Sequence, residues 1–121
     1  PVKVVGFNNG ALSFVELEMK AAGFLESGTE LVNPNFAMVA QAMGIEGIRV
    51  EDPAELEGAV ERALQHDGPV LIDAVVNRQE LSLPPKINIK QAEGFTLWMM
   101  KAVLNGRGDE LIELAKTNLL R

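Results

Sequence analysis

The run Val70-Leu71-Ile72-Asp73-Ala74-Val75-Val76 constrains this chain most. It is apolar at alternate and intervening positions alike, so a strand made from it has no polar face to give to water. Strands of that kind belong in parallel sheets covered by helices on both sides. Parallel neighbours need crossover connections long enough for a helix, and the chain supplies them. Val2 to Phe7 (VKVVGF) reads as a second short, buried, β-branched strand, and Gly47-Ile48-Arg49-Val50 as a third. Helical periodicity separates all three. The order strand, helix, strand, helix, strand predicts an α/β fold: a three-layer arrangement of a parallel sheet flanked by helices.

The helices are marked by their ends. Leu12, Val15 and Met19 recur at helical spacing within Ala11 to Ala22. After a loop from Gly23, Asn33-Pro34 or Asn35 opens a second helix, with Phe36, Val39, Ala40 and Met43 as its apolar stripe and Gly44 as its stop. Asp52-Pro53-Ala54-Glu55 is the strongest helix start, with an Asp cap, a proline at the first helical position and an acid at capping-box spacing. Leu56, Ala59, Val60, Ala63 and Leu64 follow on one face. Beyond Asn77 the character changes. Leu83-Pro84-Pro85-Lys86 reads as an extended linker, Gln91 to Leu104 as a helix, and Asp109 to Leu120 as a last short helix after the Asn105–Gly108 break.

Composition narrows the chemistry. The 121 residues allow one modest domain with a core, and 47% apolar content is ordinary for a globular chain. With no cysteine there is neither a disulfide nor a thiol nucleophile, and a single histidine, His66, rules out a multi-histidine metal site built from this chain alone. His66 fits a helix-end role better than catalysis. The net charge of −6 argues against nucleic acid as a partner. No apolar run reaches transmembrane length.

The first strand ends in Phe7-Asn8-Asn9-Gly10-Ala11. Asn and Gly suit a tight turn, and a turn between the carboxyl end of a strand and a helix is where open α/β sheets bind ligands. Taken alone, the same turn also fits a plain loop. The longer stretch VKVVGFNNGALSFVELEMKAAG resembles the second half of the thiamine-diphosphate binding motif, which opens with Gly-Asp-Gly further upstream and closes with Asn-Asn after an apolar strand. GTELVNPNFAMVAQAMGIEGIRVE, HDGPVLIDAVV and GRGDELIELAKTNLLR extend the resemblance over essentially the whole chain. Within the thiamine-diphosphate enzymes it is most similar to the bacterial pyruvate:quinone oxidoreductases.

That resemblance implies a carboxyl-terminal part of a larger subunit: the second half of a thiamine-diphosphate-binding domain over residues 1–76, a linker and start of a tail helix over 77–97, and a membrane-associating regulatory segment over 98–121. It implies thiamine diphosphate and Mg²⁺ near Asn8, Asn9, Gly10, Ala11 and Leu12, with the Asn9 amide oxygen and the Ala11 backbone carbonyl on the metal. These are the hard oxygen donors that Mg²⁺ takes. It places Phe14 and Glu18, four apart on one helix face, beside the substrate pocket. FAD, held mainly by other segments, would pass electrons from pyruvate to ubiquinone, with acetate and CO₂ as products. The expected setting is a homotetramer, cytoplasmic and peripheral on the inner face of the cell membrane. The fragment by itself is expected to be inactive.

The tail carries four basic and three acidic residues from Trp98 onward, against seven basic and fourteen acidic in the remainder. Trp98, Met99, Lys101, Arg107, Leu111, Ile112, Leu119, Leu120 and Arg121 are the expected contacts with a phospholipid surface. Glu16 reads as a first-turn acid favoured by the helix dipole. Asp73, alone in its apolar strand, is expected to hydrogen-bond at the strand's end and is given no chemistry. Two rivals remain. One is another thiamine-diphosphate enzyme, an acetolactate synthase or a 2-oxoacid decarboxylase. The other is a free-standing α/β binding module, which predicts a complete sheet with no exposed apolar face.

Overall fold

The computed structural model describes residues 1–80 and 88–119, the side chain of Leu119 excepted. Its elements run β1 (Lys3–Asn8), α1 (Ser13–Ala21), α2 (Phe36–Ala42), β2 (Glu46–Val50), a 3₁₀ turn (Pro53–Glu55), α3 (Leu56–Gln65), β3 (Val70–Val75), α4 (Ile89–Leu104) and α5 (Gly108–Leu119). The chain divides into two compact units, residues 1–10 with 32–76, and residues 11–31 with 77–121. Segment 11–31 groups with 77–121, and α1 packs on α4. The expected Leu83–Lys86 linker lies outside the described residues.

The first unit holds a parallel sheet of order β1-β3-β2, in which Gly6, Asp73 and Arg49 stand in one row. The doubly apolar strand takes the centre, as its composition requires. Helices α2 and α3 pack on β2 and β3, around a core of Ile48, Val50, Ala59, Ala63, Val70 and Ile72. Close approach is bought with small residues. Gly47 faces the Ala37 carbonyl so tightly that a Cβ there would overlap it, and Gln41 Nε2 donates to the Gly47 carbonyl at 2.8 Å. Asn35 caps α2 through the Met38 N–H, Gly44 ends that helix at φ +77°, and Asp52 caps the Pro53 turn through the Ala54 N–H.

Three expectations are corrected here. Strand β1 is not buried: Val4, Val5 and Phe7 are exposed, Phe7 by 77%, because β1 is an edge strand paired with β3 alone among the described residues. The buried side of α2 is Ala37 and Ala40, while Phe36, Val39 and Met43 face outward. On α3 only Ala59 and Ala63 are buried, and Leu56, Val60 and Leu64 are exposed. In each helix the tight approach to the sheet admits alanine and turns the large side chains outward.

The second unit is built from α1, α4 and α5. Trp98 and Ala102, both fully buried, and Leu114 form its centre, with Leu25, Phe95, Met99 and Leu111 packed around them. Gly94 lets α4 close on the Ala21 carbonyl of α1, where a Cβ would overlap it. Asn88 and Gln91 cap α4 reciprocally as a capping box. Helix α1 is inverted relative to its periodicity: its buried residues are Glu16 and Lys20, while Leu12 and Val15 are exposed.

Candidate functional site: the carboxyl end of β1

The parallel strands all end on the same side of the sheet, and Asn8 is the last residue of β1. Its carbonyl accepts the Val76 N–H at 3.1 Å, which closes the ladder. Asn9 and Gly10 follow, half-buried, with Gly10 at φ +65°. That left-handed backbone is why a glycine stands here. Asn9 therefore belongs to the first unit and Ala11 to the second.

Asn8 is held from two sides. Its Nδ2 donates to Asp73 Oδ1 at 3.0 Å, and its Oδ1 accepts from Asn33 Nδ2 at 2.9 Å. Asp73 is wholly buried. Its other oxygen, Oδ2, accepts the Phe36 N–H that opens α2 at 3.1 Å and the Arg49 Nη1 at 2.6 Å. Arg49 also reaches Glu51 at 2.6 Å. The hydrogen bond that Arg49 donates to Glu51, with Asp73 beside it, raises the Arg49 guanidinium above its usual value against a smaller desolvation effect. One carboxylate thus ties β1, β2 and the start of α2 together at the ligand end of the sheet. Sequence reasoning expected Asp73 to hydrogen-bond at the strand's end, as it does, and missed Arg49 as its partner. The signal was there: Asp73 and Arg49 are opposite charges within largely apolar strands, and a buried charge needs a partner.

In the second unit, Ala11 is buried and pairs with Glu30 in an isolated antiparallel bridge. The Leu12 N–H donates to the Thr29 carbonyl at 2.9 Å. Phe14 is 71% exposed and Glu18 is exposed as well. Phe14 is therefore not a core residue, and both side chains stand open on α1. Glu16 is corrected from a simple first-turn acid to a buried group that accepts from Thr29 Oγ1 at 2.8 Å and pairs with Arg78. The hydrogen bond that Arg78 donates to Glu16 outweighs desolvation and raises the Arg78 guanidinium.

Trp98, expected at a lipid surface, is the most enclosed large side chain of its unit. Lys20 Nζ lies 5.0 Å over its ring, and its Nε1 donates to Glu26 at 3.4 Å. Lys20 pairs with Glu26 at 2.9 Å and Arg107 with the same carboxylate at 2.8 Å. Burial pushes the Glu26 carboxyl up, yet the Lys20 bond and the charges of Lys20 and Arg107 together hold it below its ordinary value. Arg107 also pairs with Glu110 at 2.6 Å; that bond, against desolvation, raises the Arg107 guanidinium. Lys101 donates to the Gly23 carbonyl at 2.8 Å. Met99 and Leu111 pack on the core, while Ile112 is exposed. Leu120 and Arg121 lie outside the described residues, as does the side chain of Leu119. Among the described residues no helix is long and apolar enough to cross a membrane.

The fold and this turn define a class: an open parallel α/β sheet with a paired-asparagine turn at the strand ends. Residues 1–74 match the family described as the thiamine pyrophosphate enzyme, C-terminal TPP binding domain, and the chain belongs to that family. It is 35% identical to the putative thiamine pyrophosphate-containing protein YdaP of Bacillus subtilis over 97% of this chain and 20% of that protein. It is 33% identical to the mitochondrial acetolactate synthase catalytic subunit of Saccharomyces cerevisiae over 69% of this chain and 12% of the relative. The mitochondrial acetolactate synthase of Schizosaccharomyces pombe is 36% identical over 69% of this chain and 13% of its own length. The chain thus spans a fifth or less of these relatives.

The residues at the turn fit the cofactor this family binds. Both amide atoms of Asn8 are engaged in the strand-end network. An amide oxygen and a backbone carbonyl are donors that Mg²⁺ accepts.

Proposed function

We propose that this chain supplies part of the thiamine-diphosphate and Mg²⁺ site of an enzyme acting on a 2-oxo acid, of the acetolactate-synthase type. The family match over residues 1–74, with Asn9 next after the last ladder residue of β1, carries this reading. Asn9, through its amide oxygen, and Ala11, through its carbonyl, would hold the Mg²⁺. Thiamine diphosphate, when bound, supplies carbanion stabilisation at the 2-oxo carbon. Phe14 and Glu18, open on α1, are the candidates to wall the substrate pocket, with Glu18 able to hold a proton there. The exposed apolar edge at Val4, Val5 and Phe7 fits a domain covered by more protein, and not a free-standing module.

The narrower reading, oxidation of pyruvate through FAD to ubiquinone at a lipid surface, has less support. The relatives named above include acetolactate synthases, and Trp98 sits in a core rather than on a face. The test uses the full-length enzyme with pyruvate, Mg²⁺ and thiamine diphosphate. Acetolactate as product supports the first reading; acetate with reduction of a quinone or dye overturns it in favour of the second. Asn9→Ala should raise the Mg²⁺ requirement at least tenfold, on the order expected for loss of one metal ligand. An unchanged requirement would remove Asn9 from the metal.

A further inference from the structure

We propose that Asp73 is a positioning residue for the cofactor turn, acting through Asn8. The inference rests on the reading of that turn given above. An ionised carboxylate only accepts hydrogen bonds, whereas an amide has one accepting end and one donating end. Asp73 therefore dictates which way Asn8 faces. Its Oδ1 can be met only by Asn8 Nδ2, at 3.0 Å, and this turns Asn8 Oδ1 toward Asn33, whose Nδ2 donates at 2.9 Å. The polarity of the relay Asn33 to Asn8 to Asp73 is set at its buried end. Asp73 is in turn fixed by Phe36 N–H and Arg49, both on Oδ2. Three donors meet one wholly buried carboxylate, and the side chain it locks is the immediate neighbour of Asn9.

Replacing Asp73 by asparagine breaks this logic at constant size. One oxygen remains, and Arg49 with Phe36 N–H takes it as the more demanding partner. The new amide nitrogen then faces the Asn8 amide nitrogen. Asn8 must turn over, and its own nitrogen then meets that of Asn33. The mismatch passes down the relay to the turn. An aspartate at position 33 would absorb it, because it accepts from the overturned Asn8.

The experiment measures Mg²⁺ affinity of the full-length protein with thiamine diphosphate present, by titration calorimetry, and thermal stability without ligand. Asp73→Asn should weaken Mg²⁺ about tenfold, the scale of a lost outer-shell partner, and adding Asn33→Asp should recover most of that loss. An unchanged Asp73→Asn affinity overturns the proposal. So does a loss that Asn33→Asp leaves in place, since it would trace the effect to Arg49 and Phe36. If Asp73→Asn does not fold, Asn8→Ala severs the same link while Asp73 keeps its other partners. A weakened Mg²⁺ affinity then supports the proposal and an unchanged one overturns it. Wild-type protein that binds no Mg²⁺ with the cofactor would instead overturn the reading of the turn itself.

Discussion

The two units bury charge in opposite ways. The first buries one carboxylate, Asp73, in a sheet whose core is otherwise aliphatic, and surrounds it with three donors from three elements. The second buries Glu16 and Lys20 on the inner face of α1, with Glu26, Arg78 and Arg107 around them. A single hub fixes a point in space, and here that point adjoins the asparagine turn. A distributed set of pairs cross-braces helices and fixes no one group. The first unit thus fixes the Asn8 side chain at a strand end, and the second holds α1 against its neighbours.

Six substitutions would break or sharpen that contrast. Trp98→Ala should have the largest effect, about 4 kcal/mol of lost stability, because it empties the centre of the second unit. Chemical denaturation checks it, with hydrogen exchange of α4 and α5 locating the loss. Exchange protection lost in β2 and β3 to the same extent would mean the units are not separable in energy. Gly47→Ala and Gly94→Ala should each cost about 3 kcal/mol, since the new Cβ overlaps a carbonyl of a neighbouring element in either unit. Amide exchange should report Gly47→Ala in β2 and α2, and Gly94→Ala in α1 and α4. If either variant melts like wild type, the close approach it tests is not there.

Glu26→Gln should cost about 2 kcal/mol, since it leaves Lys20 and Arg107 short of a charged acceptor. It also tests pH. The Glu26 carboxyl is held below the ordinary carboxylate range. A depressed folded-state pKa gives stability that is present above the unfolded value and is lost as pH falls through the folded one. Acid titration of Trp98 emission should therefore show loosening of the second unit below the ordinary carboxylate range. The glutamine variant should flatten that part of the curve; an identical acid limb in both proteins would exclude Glu26 as its source. The smallest effects should come from the caps. Asn35→Ala and Asn88→Ala should each cost about 1 kcal/mol, and melting temperatures would register them.

Much of this was legible in the residues. The doubly apolar β3 required a central place in a parallel sheet, and that is where it lies. Asn35, Gly44 and Asp52 act at helix ends as their side chains and backbone freedom dictate. The Asn8-Asn9 turn at a strand's carboxyl end could be found from local pattern because turn chemistry is local. Periodicity failed where it had to choose a buried face. In α1 it selected Leu12, Val15 and Met19, while the packed face is Glu16 and Lys20. In α2 and α3 it favoured the largest apolar residues, while alanines face the sheet.

The sequence by itself determined which segments become strands and helices, where they stop, and which turn follows the first strand. These depend on backbone preference and side-chain size over a few residues. Only the tertiary structure decided which face of each helix is covered, that Trp98 is a core residue, and that Asp73 governs Asn8. Those outcomes join residues 65 and 72 positions apart, and burial and hydrogen bonding at that separation are set by which elements meet.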